Sequence, residues 1–210
     1  MLIIAFLVAL TIHEAAHAWM ADRLGDPTAR LKGRLSLNPL AHIDIYGTVL
    51  VPLFLIIMRF PLVFGWAKPV VFDPYNLKNP RRDAALISLA GPGANLILAI
   101  ICSVILRILD TPFSPYGYLA SFLTPIIALN VVLAIFNLIP IHPLDGGKIF
   151  IGLLPEKDAQ EADYFLNRYG MIILLLLIFP IFGGYSPVFV VLTPIISFIL
   201  RILIPSNPVI

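Results

Sequence analysis

Long apolar segments separated by short polar stretches organise this chain. A helix needs about 20 residues to cross a bilayer. Four apolar segments meet that length best: 2–22, 84–109, 118–141 and 187–204. A fifth candidate, 164–182, meets it if Asn167 and Arg168 lie at its interface end. The pattern therefore predicts an all-α polytopic membrane protein with about five transmembrane helices.

A shorter apolar segment, 47–60, lies between the first two predicted spans and is too short to cross comfortably. The stretches beside it, 33–36 and 66–72, partly alternate between polar and apolar residues, which is typical of half-buried strands. The region 33–72 is therefore predicted to be a re-entrant element that contains at least two short β-strands.

The composition supports insertion into a lipid bilayer. Hydrophobic residues fill 60% of the 210 positions, charged residues fill 12%, and the mean hydropathy is +0.97. No soluble domain of this size needs so much apolar surface. The net charge of +2 says little in a membrane, and no nucleic-acid partner is expected. Cys102 is the single cysteine, which excludes an internal disulfide.

The distribution of basic residues predicts an orientation. If 47–60 does not span, the loops 23–45, 59–83 and 142–168 share one side, and with Arg201 they hold 13 of the 14 Lys and Arg residues. If it does span, the split falls to nine against five. Because Lys and Arg are enriched in cytoplasmic loops, the first arrangement is preferred and those loops are predicted to be cytoplasmic.

The strongest chemical signal is the sequence His13-Glu14-Ala15-Ala16-His17 inside the first apolar segment. Residues i and i+4 share a helix face, so His13 and His17 can direct two imidazoles at one metal ion. Three ionisable side chains in one turn at membrane depth are costly. A hydrolytic metal site explains that cost, since zinc peptidases use this spacing with the glutamate as base.

A second motif, residues 137–147, closes the segment 118–141. Pro140 and Pro143 break the helix, two glycines allow close backbone approach, and Asp145 is a candidate third metal ligand. Asp145 reaches the depth of the two histidines only if both helices run in the same direction. That condition also requires 47–60 to enter and leave on one side, and it favours a cavity that admits water.

These motifs resemble those of the site-2 protease family of intramembrane zinc metalloproteases, in particular its short bacterial and archaeal members without a sensor domain. The resemblance covers about residues 1–155 by specific motifs, taken as the catalytic membrane core, and 156–210 by hydropathy alone, taken as a C-terminal helical pair. It rests on HEAAH, on FNLIPIHPLDGG and on the segments 21–27, 33–44, 65–70 and 90–95.

The resemblance implies a role for each matching residue. His13, His17 and Asp145 correspond to the ligands of one Zn²⁺ per chain, and Glu14 to the catalytic base. Asn137 matches an asparagine that positions substrate or stabilises the oxyanion. The family's re-entrant sheet, which presents an edge to the substrate, corresponds here to 33–72.

Several polar residues also have a structural explanation. Asn137 is as well explained by carbonyl groups that Pro140 leaves free. For Asn95, which follows a Gly-Pro-Gly turn, hydrogen bonding across a close helix contact is favoured over a role in the site. His142 departs from the family pattern, and a solvated loop histidine is favoured over a role beside the metal. His42 is favoured as a polar loop residue.

The resulting hypothesis is an intramembrane zinc-dependent endopeptidase that hydrolyses peptide bonds within transmembrane segments. Its expected partners are a transmembrane protein or peptide substrate and the lipid bilayer. Its expected location is the cell membrane, as a multi-pass protein with the active site nearer the cytoplasmic side. A metal-binding transporter or channel is the alternative, but a transporter needs no base beside its ligands. The sequence sets no oligomeric state.

Overall fold

The computed structural model describes residues 1–59, 65–109, 119–179 and 186–204. The α-helices of these ranges are numbered here in chain order. They are α1 (Leu2–Arg23), α2 (Thr28–Leu31), α3 (Val51–Ile57), α4 (Pro80–Leu109), α5 (Ala120–Asn137), α6 (Asp145–Leu153), α7 (Glu156–Ile178) and α8 (Pro187–Leu203). Short 3₁₀ turns lie at Pro39–Ala41 and Pro74–Asn76, and a π-helical stretch, Ile45–Leu50, leads into α3.

Helix α4 is the central element, because it contacts α1, α5, α6 and α8. Its start is fixed locally: Pro80 supplies a helix-ready φ, and the Asp83 carboxylate accepts a hydrogen bond from the Asn79 N–H at 2.8 Å. The main apolar cluster joins α4 to α5. Its buried members are Ala99, Cys102, Leu106, Ile127 and Val131.

The outward face of α4 is apolar as well. The exposed side chains along it include Ile97, Ile101, Val104 and Ile108. An exposed apolar face of this length is unfavourable in water and favourable against lipid.

The prediction of about five transmembrane helices is wrong for the described residues. Within the described ranges, only α1 and α4 are long and apolar enough to cross a membrane, and the apolar helices at 45–57, 121–137 and 187–203 are shorter. At 1.5 Å per residue, the 17 residues of α8 rise about 26 Å, less than the bilayer core. Residues 164–178 of the expected span 164–182 lie in α7, which begins eight residues earlier with a charged turn.

The ends of several predicted segments fall outside the described residues. These are residue 118 of the segment 118–141, residues 180–182 of the segment 164–182, and residue 60 of the segment 47–60. The proposed division at residue 155 stays a prediction, although α7 packs against both α6 and α8.

The predicted β-strands in 33–72 are also wrong, since the described part of this region contains no strand. Arg34 N–H closes a turn onto the Ala29 carbonyl at 2.8 Å, which ends α2 and leaves no extended run there. The stretch after residue 65 is irregular, and its N–H groups bond to scattered acceptors rather than to a neighbouring strand. Those acceptors are the Gly47 carbonyl, the His42 carbonyl and the Glu14 carboxylate.

The described part of the apolar segment between α2 and α4 is helical, and its start contacts the stretch after residue 65. The Trp66 N–H donates to the Gly47 carbonyl at 3.1 Å, and the Thr48 hydroxyl donates to the Trp66 carbonyl at 2.8 Å. The stretch after residue 65 therefore lies beside the start of this helical segment. This contact carries the stretch after residue 65 back toward α1.

A buried carboxylate, Asp26, ties the connection after α1 to the one before α4. It accepts hydrogen bonds from Thr28, from the Asp73 N–H at 2.8 Å and from the Asn76 amide at 2.8 Å. Burial alone would raise the pKa of Asp26, but these donors stabilise the charged form and bring the net pKa below its ordinary value. The charged form is therefore linked to the folded state.

We expect Asp26→Asn to lower the stability of the protein at pH 7 by about 1–3 kcal/mol, because buried donors lose a charged acceptor. A carboxyl whose pKa is depressed by folding contributes stability above its unfolded pKa, and the contribution is lost as pH falls through the folded value. The deficit of the variant should therefore shrink below about pH 4. Detergent-solubilised protein unfolded at pH 7 and at pH 3 provides the measurement. An equal deficit at both values would contradict the assignment.

Candidate active site in a buried cavity

Two histidines of α1 face α4 and are held by different acceptors. His13 Nδ1 lies 2.6 Å from Asn95 Oδ1, and His17 Nδ1 lies 2.7 Å from the Ile87 carbonyl. The Ile87 carbonyl can only accept, so His17 Nδ1 must donate. With His13 Nδ1 likewise donating to the Asn95 oxygen, the Nε2 lone pair of each ring is available to bind a metal ion.

Asp145, the first residue of α6, completes the cluster. Its Oδ2 lies 3.1 Å from His13 Nε2 and 3.2 Å from His17 Nε2. One ligand atom from each of the three residues falls within 4.8 Å of the others. Two neutral imidazoles and a carboxylate form a donor set typical of catalytic zinc sites, so the residues present fit that ion.

These side chains can meet because two glycines let the backbone of α4 and of α6 approach its neighbours closely. A Cβ at Gly91 would collide with His17 Nε2 and would lie 2.8 Å from His13 Cε1, so α4 can pass the imidazoles only with glycine there. A Cβ at Gly146 would collide with the Leu138 and Ile139 carbonyls. Gly146 therefore lets α6 begin directly against the end of α5, which holds Asp145 at the cluster.

Glu14 lies in the same cavity but outside the three-residue cluster. Its side chain is buried, and one carboxylate oxygen accepts a hydrogen bond from the Val70 N–H at 3.2 Å. A carboxylate has about four lone-pair sites, so this bond leaves capacity for a further proton or donor. The arrangement separates a base from the candidate ligands.

The cavity has a volume of about 610 Å³. Its walls combine α1, α4, α5, α6 and α7 with the irregular stretch after residue 65, and they are mainly apolar. The polar and charged residues on its lining are His13, Glu14, His17, Ser88, Asn137, Asp145 and Lys148. Helix α7, from the C-terminal part of the chain, contributes Met171, Leu174, Leu175 and Ile178 to this lining.

The other four candidates occupy different settings. Asn137 lines the cavity, and its amide donates to the Leu133 carbonyl one turn earlier at 2.9 Å. Asn95 is fully buried and contacts His13 directly. His142 is not among the described residues that line the cavity, and its Nε2 lies 3.6 Å from an Asp163 carboxylate oxygen. His42 is buried and donates to the Ser36 carbonyl.

Sequence reasoning missed three participants. They are the Ile87 carbonyl, the Val70 N–H and Asn130, whose side chain bonds to Asn95. Backbone groups leave no signal in a sequence. Asn130 did leave one, because a polar residue in the middle of the apolar helix α5 needs a partner.

Comparison with known proteins identifies the family. The model of peptidase family M50 matches residues 1–118 and 112–177. This chain belongs to that family, which confirms the predicted resemblance to the site-2 proteases. Members of the M50 family are zinc metalloproteases and membrane proteins.

Individual relatives agree with this assignment. YwhC of Bacillus subtilis, named as a zinc metalloprotease, is 39% identical over 195 residues, covering 88% of this chain and 82% of its own. Rip2 of Mycolicibacterium smegmatis is 31% identical over 179 residues, which cover 85% of this chain and 66% of Rip2. The zinc metalloprotease MJ0392 of Methanocaldococcus jannaschii is 24% identical over 156 residues, which cover 74% of this chain and 35% of MJ0392. No solved structure matches the chain significantly.

Gly91→Ala should weaken zinc binding by at least about tenfold, because the added methyl group displaces both imidazoles. Gly93→Ala is the matched control, since a Cβ there meets nothing within 4 Å. Zinc affinity measured by competition with a chelator distinguishes the two. Equal affinities for both variants would show that the close approach at Gly91 does not set the imidazole positions.

Proposed function

We propose that this chain is an intramembrane zinc-dependent endopeptidase that hydrolyses peptide bonds within transmembrane segments of other proteins. The observation that carries the proposal is the placement of Glu14 in one cavity with the cluster of His13, His17 and Asp145. The membership in family M50 supports the same reaction class.

The proposed metal ligands are His13, His17 and Asp145, which would hold one zinc ion per chain. Three protein ligands leave a fourth position for water or substrate, as catalytic zinc sites require. When bound, zinc supplies a Lewis acid that polarises the scissile carbonyl and lowers the pKa of the attacking water.

Glu14 takes the proton from the attacking water and later delivers it to the leaving amine. The Val70 N–H keeps one carboxylate oxygen fixed while the proton moves, so the base does not have to reorganise. Asn137 lies on the same lining and uses one amide hydrogen for the Leu133 carbonyl. Its second amide hydrogen can donate to the oxyanion that develops on the substrate.

The mainly apolar wall of the cavity favours a membrane-embedded peptide as substrate. A helical substrate hides its carbonyls in i→i−4 hydrogen bonds, so its cleavage requires local unwinding. The absence of a strand in the described part of 33–72 removes the basis for binding substrate by strand addition at a sheet edge. The unwound segment would instead lie along the irregular stretch after residue 65, which forms part of the cavity wall.

A metal-binding transporter or channel would also place histidine and aspartate within membrane helices. Such a protein gains nothing from a buried carboxylate that lies beside the cluster without joining it. The position of Glu14 therefore favours hydrolysis.

His13→Ala, His17→Ala and Asp145→Ala should each lose most of the bound zinc, because three ligands leave little redundancy. Glu14→Gln should retain about one zinc per chain and lose at least about 100-fold in cleavage rate. Metal analysis and incubation with candidate single-span proteins in vesicles provide the two measurements.

The matched control is Glu161→Gln, the same chemical change at an exposed position of α7. It should leave both zinc content and cleavage unchanged. Full zinc content in Asp145→Ala would remove the third ligand from the proposal. Unimpaired cleavage by Glu14→Gln would remove the base.

We also propose a multi-pass orientation in which α1 and α4 cross the membrane and the connection between them is cytoplasmic. That connection contains Arg30, Lys32, Arg34, Arg59, Lys68 and Lys78, whereas Arg107 lies at the opposite end of α4. Ile87, which contacts His17, is seven residues into α4 and therefore about 10 Å from its start. The active site would accordingly lie nearer the cytoplasmic side.

Cysteines introduced at positions 30 and 78 should react with an impermeant thiol reagent from the cytoplasmic side, and a cysteine at position 107 from the other side. The measurement uses intact cells and inverted vesicles of a Cys102→Ala background. Labelling of positions 30 and 107 from one side would contradict the proposed crossing by α4.

A further inference from the structure

We infer that Asn130 is a positioning residue for the metal site: acting through Asn95, it keeps His13 in the tautomer that can bind zinc. The inference rests on the proposed zinc site. Asn130 is on α5 and forms no hydrogen bond with the three candidate ligands, yet a series of side-chain hydrogen bonds through Asn95 connects it to His13.

Both asparagines are completely buried, with 0% exposure each. Asn95 Nδ2 donates to Asn130 Oδ1 at 2.7 Å and to the Ala9 carbonyl at 2.9 Å. Asn130 Nδ2 donates to the Ile126 carbonyl one turn earlier on α5, at 2.8 Å. Buried amide groups without such partners would be strongly unfavourable, so each bond constrains the next.

The direction of this chain of hydrogen bonds is determined at its ends. The Ile126 and Ala9 carbonyls can only accept, so both amide groups must turn their NH₂ toward these carbonyls. The oxygen of Asn130 then faces Asn95, and the oxygen of Asn95 faces His13 Nδ1 at 2.6 Å. His13 Nδ1 therefore carries the proton, and its Nε2 presents a lone pair beside Asp145.

A flipped Asn95 would have the opposite effect. Its NH₂ would donate to His13 Nδ1, which requires the proton on Nε2, and an Nε2–H cannot bind a metal ion. The Ala9 carbonyl and the Asn130 oxygen both oppose that flip, because each would then face the Asn95 oxygen. Removing the Asn130 acceptor takes away one of the two restraints and leaves one Asn95 N–H without a partner.

The test measures zinc affinity of the purified full-length protein by chelator competition. Asn130→Leu, which keeps the side-chain size, should bind zinc about tenfold more weakly, within the range found for groups that orient metal ligands. Asn167→Leu is the matched control: it makes the same chemical change at an exposed position of α7 that does not line the cavity, where the side chain bonds to Asp163 one turn earlier. Its affinity should stay within about twofold of the wild-type value.

A double-variant cycle separates positioning from simple packing. If Asn130 acts through Asn95, the variant with both residues changed to leucine should bind zinc no more weakly than Asn95→Leu alone. In zinc-free protein, the imidazole ¹⁵N shifts provide a second readout. The chain has only four histidines, and His13 should change from the Nδ1–H form toward the Nε2–H form in Asn130→Leu.

Wild-type affinity in Asn130→Leu overturns the inference, as does a loss that multiplies fully with that of Asn95→Leu. Asn130→Ala serves in its place if the leucine variant does not fold, with the same expected loss. If the wild-type protein itself binds no zinc, the proposed function fails. Normal wild-type binding with an unaffected Asn130 variant overturns only the role of Asn130.

Discussion

Two imidazoles buried between α1 and α4 each need an acceptor for one ring N–H, and the rest of the site depends on how that need is met. The Asn95 oxygen serves His13 and the Ile87 carbonyl serves His17, both from α4. These bonds fix which nitrogen of each ring is left as a lone pair. They also fix the rotation of α4 against α1, and Gly91 is the position at which the two helices can pass closely enough.

Asp145 reaches the histidines because α5 ends early and α6 starts immediately beside it. The missing Cβ at Gly146 lets the first turn of α6 lie against the carbonyls that end α5. Since α5 also packs along α4 through Ile127 and Val131, the position of the carboxylate is set by the same helix that holds the imidazole acceptors. Helix α4 therefore sets the positions of all three candidate ligands relative to one another.

The segment after α2 contributes the remaining wall. The Trp66 N–H bonds to the Gly47 carbonyl at the start of its helical part, and the chain that follows Trp66 passes Glu14 closely enough for Val70 to donate to the carboxylate. The Asp26 carboxylate joins the connection after α1 to the connection before α4, because it accepts hydrogen bonds from Asp73 and Asn76. A base held by one backbone N–H in an apolar cavity is an arrangement suited to proton transfer.

The sequence by itself determined the family, the apolar character of the chain and the candidates for the residues that carry the chemistry. These depend on local spacing: His13 and His17 share a helix face at any tertiary arrangement, and Pro140 with Gly146 ends one helix and starts another. Partial alternation in 33–36 and 66–72 misled, because alternation reports which side chains are half-buried and not which group accepts each N–H. Here the acceptors are single carbonyls and the Glu14 carboxylate, so no sheet forms.

Only the tertiary structure decided how long the helices are and which buried polar groups meet. Hydropathy counts apolar residues but does not locate helix ends: the predicted segment 118–141 runs past the end of α5 at Asn137, and the predicted segment 84–109 misses the first turn of α4. Asn95 and Asn130 are 35 residues apart, and their pairing follows from the packing of α4 on α5. A buried amide must find a partner, but the chain alone does not say which one, because that depends on the distance between helices that meet only in the folded protein.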